Sequence, residues 1–171
     1  MKKIISISII AVLSVLLLIS ASPTEFITAK VVKVSDGDTF TVLTEKKKQT
    51  RIRIYGIDAP ETGQPYSEKS RLYLANMIAG RVVTIEVKSN DKYGRKVAKV
   101  KTETINDVGL EMLRAGYAWH YSHFDNTKAY VQAEQEAREK RVGLWADKNP
   151  VNPYEYRNLK KKDNKFNVEP R

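Results

Sequence analysis

The chain has no cysteine, and only two tryptophans and two histidines among its 171 residues. Without thiols there is no disulfide framework, no lipid-modified cysteine and no soft ligand to select a soft metal. Such a chain must hold itself together by its core. His120 and His123 match no zinc motif and have no thiolate beside them, so they read as partly buried or rim residues rather than as a metal pair or catalytic imidazoles. Acidic charge is also in short supply, with 20 Asp and Glu against 30 Lys and Arg, a formal net charge of +10.

Long apolar runs are confined to the beginning. Lys2 and Lys3 precede Ile4–Ile19, which is almost wholly apolar, and the small residues Ser20, Ala21 and Ser22 follow. The run falls slightly short of the ~20 residues that a transmembrane helix needs. Residues 1–22 therefore read as a signal peptide with an approximate cleavage site, the alternative being an uncleaved membrane anchor. Its removal takes away two lysines and no acids, leaving 28 basic and 20 acidic residues in a chain of 149. That length suits one domain with one core. The positive balance suits a polyanion, a wall polymer or an anionic membrane face, and charge alone does not choose among them.

Three turns carry the chemistry. In Arg51-Ile-Arg-Ile-Tyr-Gly-Ile-Asp-Ala-Pro-Glu61, Ile52 and Ile54 alternate with Arg51, Arg53 and Tyr55 at the period of a strand. Gly56 and Pro60 end that strand, and the bend holds Asp58 and Glu61 a few residues from Arg53. Upstream, Ser35-Asp-Gly-Asp-Thr39 joins the runs Lys30–Val34 and Phe40–Thr44. Asp-Gly here predicts a hairpin turn using the positive φ that glycine tolerates. Asp36 needs no more than this turn, whereas Asp38 lies past it at the head of the next strand. The third turn, Asn90-Asp-Lys-Tyr-Gly-Arg95, separates the strand-like runs Val82–Val87 and Lys96–Lys101.

Helical spacing predicts three helices. The first has Ser67 as its N-cap and Gly80 past its end; the second runs over about Val108–Ala115 after Asn106 or Asp107; the third runs over Lys128 to about Arg141, with Asn126 or Thr127 as cap and Ala129, Ala133 and Ala137 as its apolar face. Beyond Asp147, Asn149-Pro-Val-Asn-Pro153 and Lys160-Lys-Lys162 predict a basic tail, 147–171, with little structure of its own. Taken alone, the pattern supports an antiparallel α+β domain over 26–146.

Asp36-Gly-Asp-Thr39, Arg53 ahead of Asp58, Pro60-Glu61 and Asp91-Lys-Tyr-Gly-Arg95, continuing through Gly116-Tyr117-Ala118 and Gly143-Leu-Trp145, resemble the staphylococcal nuclease family. The likeness spans roughly Lys30 to Trp145. It implies a five-stranded antiparallel OB-like barrel with three helices. It further implies a calcium ion held by Asp38, Asp58 and the backbone carbonyl of Ala59, with Glu61 as general base or water-orienting group and Arg53 and Arg95 gripping the phosphate. The family often has threonine where this chain has Ala59; a carbonyl ligand survives that change and a hydroxyl contact does not. Magnesium accepts the same oxygen ligands in principle, with stricter geometry. Lys92, Tyr93 and Tyr121 resemble substrate contacts, although the segment around Tyr121 departs from the family spacing.

The function so implied is a secreted, monomeric, calcium-dependent endonuclease acting on DNA and RNA with little sequence preference and leaving 3′-phosphates, with no obligate protein partner. The competing readings are a noncatalytic OB-type module that binds nucleic acid by charge and stacking, and a wall-binding protein that uses its basic tail.

Overall fold

A computed structural model describes residues 24–166. The expected leader, residues 1–22, lies outside them. Strands β1 (Phe26–Val34), β2 (Thr39–Leu43), β3 (Gln49–Ile54), β5 (Val82–Asn90) and β6 (Lys96–Lys101) close into a barrel in the order β1-β2-β3-β6-β5. A two-residue strand β4 (Ile57–Asp58) pairs with β7 (Trp119–His120) outside it. Helices α1 (Ser67–Ile78), α2 (Val108–Arg114), α3 (Lys128–Glu139) and α4 (Pro153–Phe166) complete the described residues, with one 3₁₀ turn at Gly143–Ala146.

The barrel is the expected OB-like one, with one departure. Its closing pair, β3 with β6, is parallel, matching Ile52 to Lys96 and Ile54 to Ala98, while the other four pairings are antiparallel. Alternation of apolar residues marks which face a strand buries and not the direction of its neighbour. Ile52, Ile54, Phe40, Val42, Ile85, Ala98 and Val100 fill the interior, and Leu74, Ile78, Met112 and Leu113 bring α1 and α2 into the same core.

Among the described residues the helix count is four rather than three. Asn149–Pro153 was expected to prevent a helix, yet Pro153 begins α4. Proline is tolerated in a first helical turn, where its missing N–H has no intrahelical partner to lose. Asn152 supports the start: its Oδ1 accepts the Tyr154 N–H at 2.9 Å.

Two helix details also differ. Ser67 is the first helical residue of α1, preceded by Tyr66 in the left-handed region, and makes no cap. The buried face of α3 is Tyr130, Ala133 and Ala137, while Ala129 is exposed. Tyr130 wins that place because its ring fills the barrel edge and its hydroxyl donates to both oxygens of Asp107 at 2.9 Å. Asp107 is the expected cap of α2, accepting the Leu110 N–H at 3.1 Å.

A smaller second core joins Ala137, Leu144 and Trp145 to Trp119. The two indole rings meet at 4.4 Å and 65°, and the Arg138 guanidinium lies 3.8 Å from one ring centre and 4.6 Å from the other. This packing fixes β7, and through it β4, the strand that carries Asp58.

Candidate active site

The barrel register decides which side chains meet. Thr39 lies opposite Arg53 across β2 and β3, and the Ile54 N–H donates to the Asp38 carbonyl at 2.8 Å. Asp38 therefore sits at the same barrel end as Arg53. The left-handed turn at Gly56 (φ 75°) then folds β4 back so that Asp58 approaches both.

Arg53 is the hub. Its guanidinium pairs with Asp38 Oδ2, donates to Asp58 Oδ1 at 2.9 Å and donates to the Ile57 carbonyl at 3.2 Å. Although it lies on the polar face of its strand, its side chain is only 13% exposed. Asp38 further accepts the Thr39 hydroxyl at 2.8 Å and the Ala59 N–H at 3.1 Å. Ala59 thus touches the acid pair through its own backbone.

Burial alone favours neutral carboxyls here. At Asp38 it is outweighed by the Arg53 guanidinium and by the Ala59 and Thr39 donors, which hold the carboxyl below its usual value. At Asp58, burial and the neighbouring Asp38 charge prevail over the two guanidiniums beside it and raise the pKa. Arg53 is held still more firmly cationic than usual: burial opposes its charge, but Asp38 and Asp58 favour it more strongly. Two buried acids crowded at one point call for positive charge, and guanidiniums supply it.

Arg95 joins this network indirectly. It donates through Nε to Asp91 Oδ2 at 2.6 Å and through a terminal nitrogen to Thr39 Oγ1 at 3.2 Å, and Thr39 in turn donates to Asp38. Tyr93 is 67% exposed, with Lys92 and Arg95 over its ring at 5.2 and 5.5 Å; among the described residues, no hydrogen bond or salt bridge joins Lys92 or Tyr93 to Asp38 or Asp58. Tyr121 lies beside the hub, 5.7 Å from the Arg53 guanidinium, and its N–H is anchored to the Gly56 carbonyl at 2.9 Å.

The histidines are placed apart. His120 is buried against Asp125 (Nε2 to Oδ2, 2.9 Å), and the exposed His123 ring meets Tyr154 at 5.1 Å.

Sequence reasoning missed two participants. Thr39 was read only as part of a motif, yet it links Arg95 to Asp38. Arg157, in the segment taken for a tail, reaches into the site from α4. It engages Asp58 with both terminal nitrogens at 3.1 and 2.9 Å and Glu61 Oε1 at 2.6 Å. The Asn152-Pro153 helix start was its only sequence signal. Glu61, partly exposed, is further held by its N–H to Gln64 Oε1 at 3.0 Å.

The donor set suits a hard divalent cation. Asp38, from the turn before β2, and Asp58, from β4, present carboxylate oxygens to a common point, and two guanidiniums supply positive charge there. Among the described residues no cluster of three or more His, Cys, Asp or Glu forms. A calcium ion there would draw the rest of its roughly six to eight oxygens from backbone, water and substrate.

The profile of the family described as "Staphylococcal nuclease homologue" matches residues 51–147, from β3 through the 3₁₀ turn. A Haemophilus influenzae protein named "Uncharacterized endonuclease" is 38% identical over 160 residues, covering 94% of this chain and 88% of its own. A like-named protein of Escherichia coli O157:H7 is 37% identical over 131 residues, covering 77% and 85%. "Staphylococcal-like nuclease CAN1" of Arabidopsis thaliana is 40% identical over 119 residues, covering 68% of this chain and 36% of the plant protein.

Proposed function

The chain belongs to the staphylococcal nuclease family, and from that premise we propose that it is a secreted, calcium-dependent endonuclease that hydrolyses DNA and RNA with little sequence preference and leaves 3′-phosphate ends. Family membership and the endonuclease-named relatives support the nuclease class and nucleic acid as substrate. One observation carries the mechanism: Asp38, Arg53 and Asp58 converge at one barrel end, with Arg95 tied in through Thr39.

Hydrolysis must bring water to an already anionic phosphorus and stabilise the charge that gathers on its oxygens. Asp38 and Asp58 would hold the cation, which would supply Lewis-acid polarisation of a phosphate oxygen. Arg53 and Arg95 turn their planar donor forks to the remaining oxygens, a geometry suited to bidentate phosphate binding. Glu61 accepts a proton from the attacking water as the water oxygen bonds to phosphorus, and the bond to the 5′ oxygen breaks in line. The leaving oxygen takes its proton from solvent. Tyr93 and Tyr121 offer ring faces on which bases stack without being read, and Lys92 adds charge at the rim. The protein acts as a monomer after removal of its leader.

The test incubates the purified protein with DNA and with RNA, each with calcium or with excess chelator. Cleavage of both with calcium alone is the expected result. Full activity in chelator overturns the calcium assignment, and binding without any cleavage leaves the noncatalytic OB-type module.

A further inference from the structure

Arg157 is 96 and 99 residues from Glu61 and Asp58, the two acids it binds, and Asp58 is also one of the two acids proposed to hold the cation. Its fork spans both oxygens of Asp58, a carboxylate 3% exposed, and closes on Glu61. Those oxygens cannot give the same lone pairs to a cation and to the guanidinium. A carboxylate that accepts a 2.6 Å bond from a guanidinium is likewise a poorer base toward water.

Among the described residues, few contacts tether the helix that delivers Arg157. Gln64, which holds the Glu61 N–H through its Oε1, donates through its Nε2 to the Val151 carbonyl just before α4. Tyr154 rests on His123, and Arg157 lies 6.0 Å from the Tyr154 ring centre. From residue 153 to 161, Pro153 is buried and every other residue is half-buried or exposed. A segment with so little buried apolar surface among its described residues opens at low free-energy cost.

We propose that α4 is a strap that closes the active site in the absence of metal, with Arg157 as its latch, and that a divalent cation and the strap compete for Asp58, the latch covering Glu61 while it is closed. This rests on the nuclease reading above and adds its regulation. Cation binding releases the latch, frees Glu61 to act as base and opens to the nucleic acid the cavity lined by Asp58, Tyr121 and Tyr154. Removal of the cation lets Arg157 return and neutralise the acids that would otherwise repel one another.

Competition is reciprocal: the factor by which the latch weakens cation binding equals the factor by which the cation weakens the latch. For coupled sites this is typically about 5–150-fold. The experiment is a calorimetric titration of the purified protein and its Arg157→Gln variant with calcium chloride, paired with amide hydrogen exchange over residues 153–161 at zero and saturating calcium. The expected result is calcium binding tighter in the variant by about 5–150-fold, and faster exchange of α4 in the parent when calcium is added. In the variant, exchange should be fast from the start and indifferent to calcium. Tighter binding without any calcium effect on parental exchange would reduce Arg157 to a neighbouring charge and overturn the strap. Equal affinities with unchanged exchange overturn it too, while leaving the metal-dependent nuclease intact. Absence of calcium binding in both proteins removes the metal reading itself, and the strap with it.

Discussion

The turn at Ser35–Asp38 and the turn at Asp91–Arg95 are built alike and held differently. Each opens with an aspartate whose Oδ1 accepts two amides of its own loop: Asp36 from Asp38 and Thr39 at 3.0 and 2.6 Å, Asp91 from Tyr93 and Arg95 at 2.9 Å each. Each also carries a glycine and delivers one functional side chain. The glycines serve opposite needs. Gly37 is not in the left-handed region; a Cβ there would lie 1.8 Å from Ser70 Oγ and 2.7 Å from the Ala59 Cβ, so the loop is clamped against α1 and β4. Gly94 takes φ 75° with nothing within 4 Å of its Cβ position, so its loop is shaped from within and free on its outer side. The first turn fixes an acid to the core. The second presents Arg95, the arginine proposed to grip a phosphate, on Asp91 and Thr39.

If that contrast holds, variants of the two sides should fail in different ways. The largest effect is on turnover: Arg95→Ala should lower single-turnover cleavage by about 10²–10³ and Glu61→Gln by about 10²–10⁴, with nucleic-acid affinity little changed. Cleavage at the parental rate by either variant would remove that residue from the chemistry.

Arg53→Ala should cost stability as well as activity, because it strips a partner from two buried carboxylates. Breaking a buried pair from one side typically costs about 3–5 kcal/mol, whereas Arg95→Ala should leave the urea midpoint almost where it was. Equal midpoints for the two variants would erase the distinction between a structural hub and a mobile arm.

A smaller difference is expected between the glycines. Gly37→Ala overpacks the clamped loop, at about 1–3 kcal/mol, and should also weaken calcium binding because Asp38 shifts with it. Gly94→Ala meets only the left-handed penalty of about 1–2 kcal/mol and should leave calcium affinity alone. Calorimetry and urea melts on the two proteins separate these outcomes.

The smallest effect is electrostatic. Burial works to raise the Asp91 pKa, but the Arg95 amide and guanidinium and the Tyr93 amide hold it below its usual value. A lowered folded-state pKa contributes stability above the unfolded aspartate pKa, and that contribution is lost as pH falls through the folded value. Asp91→Asn should therefore flatten the acid side of the stability profile slightly, measured as urea midpoints from neutral to acid pH. A steeper profile in the variant would reverse the sign and refute the assignment.

What could be read from the sequence were features with local causes. Strand alternation placed Ile52 and Ile54 inward, and strand-to-turn junctions singled out Asp38, Asp58 and Arg95. Other features arise only when the chain closes on itself. The glycine at 37 looked like a conformational requirement and is a packing one, because Ser70 and Ala59 approach it from elsewhere. The parallel pairing of β3 with β6 leaves no mark on either strand's own pattern. Arg157 looked like one more charge in a basic tail, since nothing near it in sequence indicates that α4 folds back over Asp58.

Both tryptophans of the chain lie in the single contact between Trp119 and Trp145, beneath Arg138. Trp119 also pairs along the backbone with Asp58. Under excitation selective for indole, the two tryptophans therefore act as one intrinsic dye, wired by a two-residue ribbon to an acid of the candidate site. Its emission should respond to whatever displaces that ribbon, cation or nucleic acid alike, in real time and without an attached label.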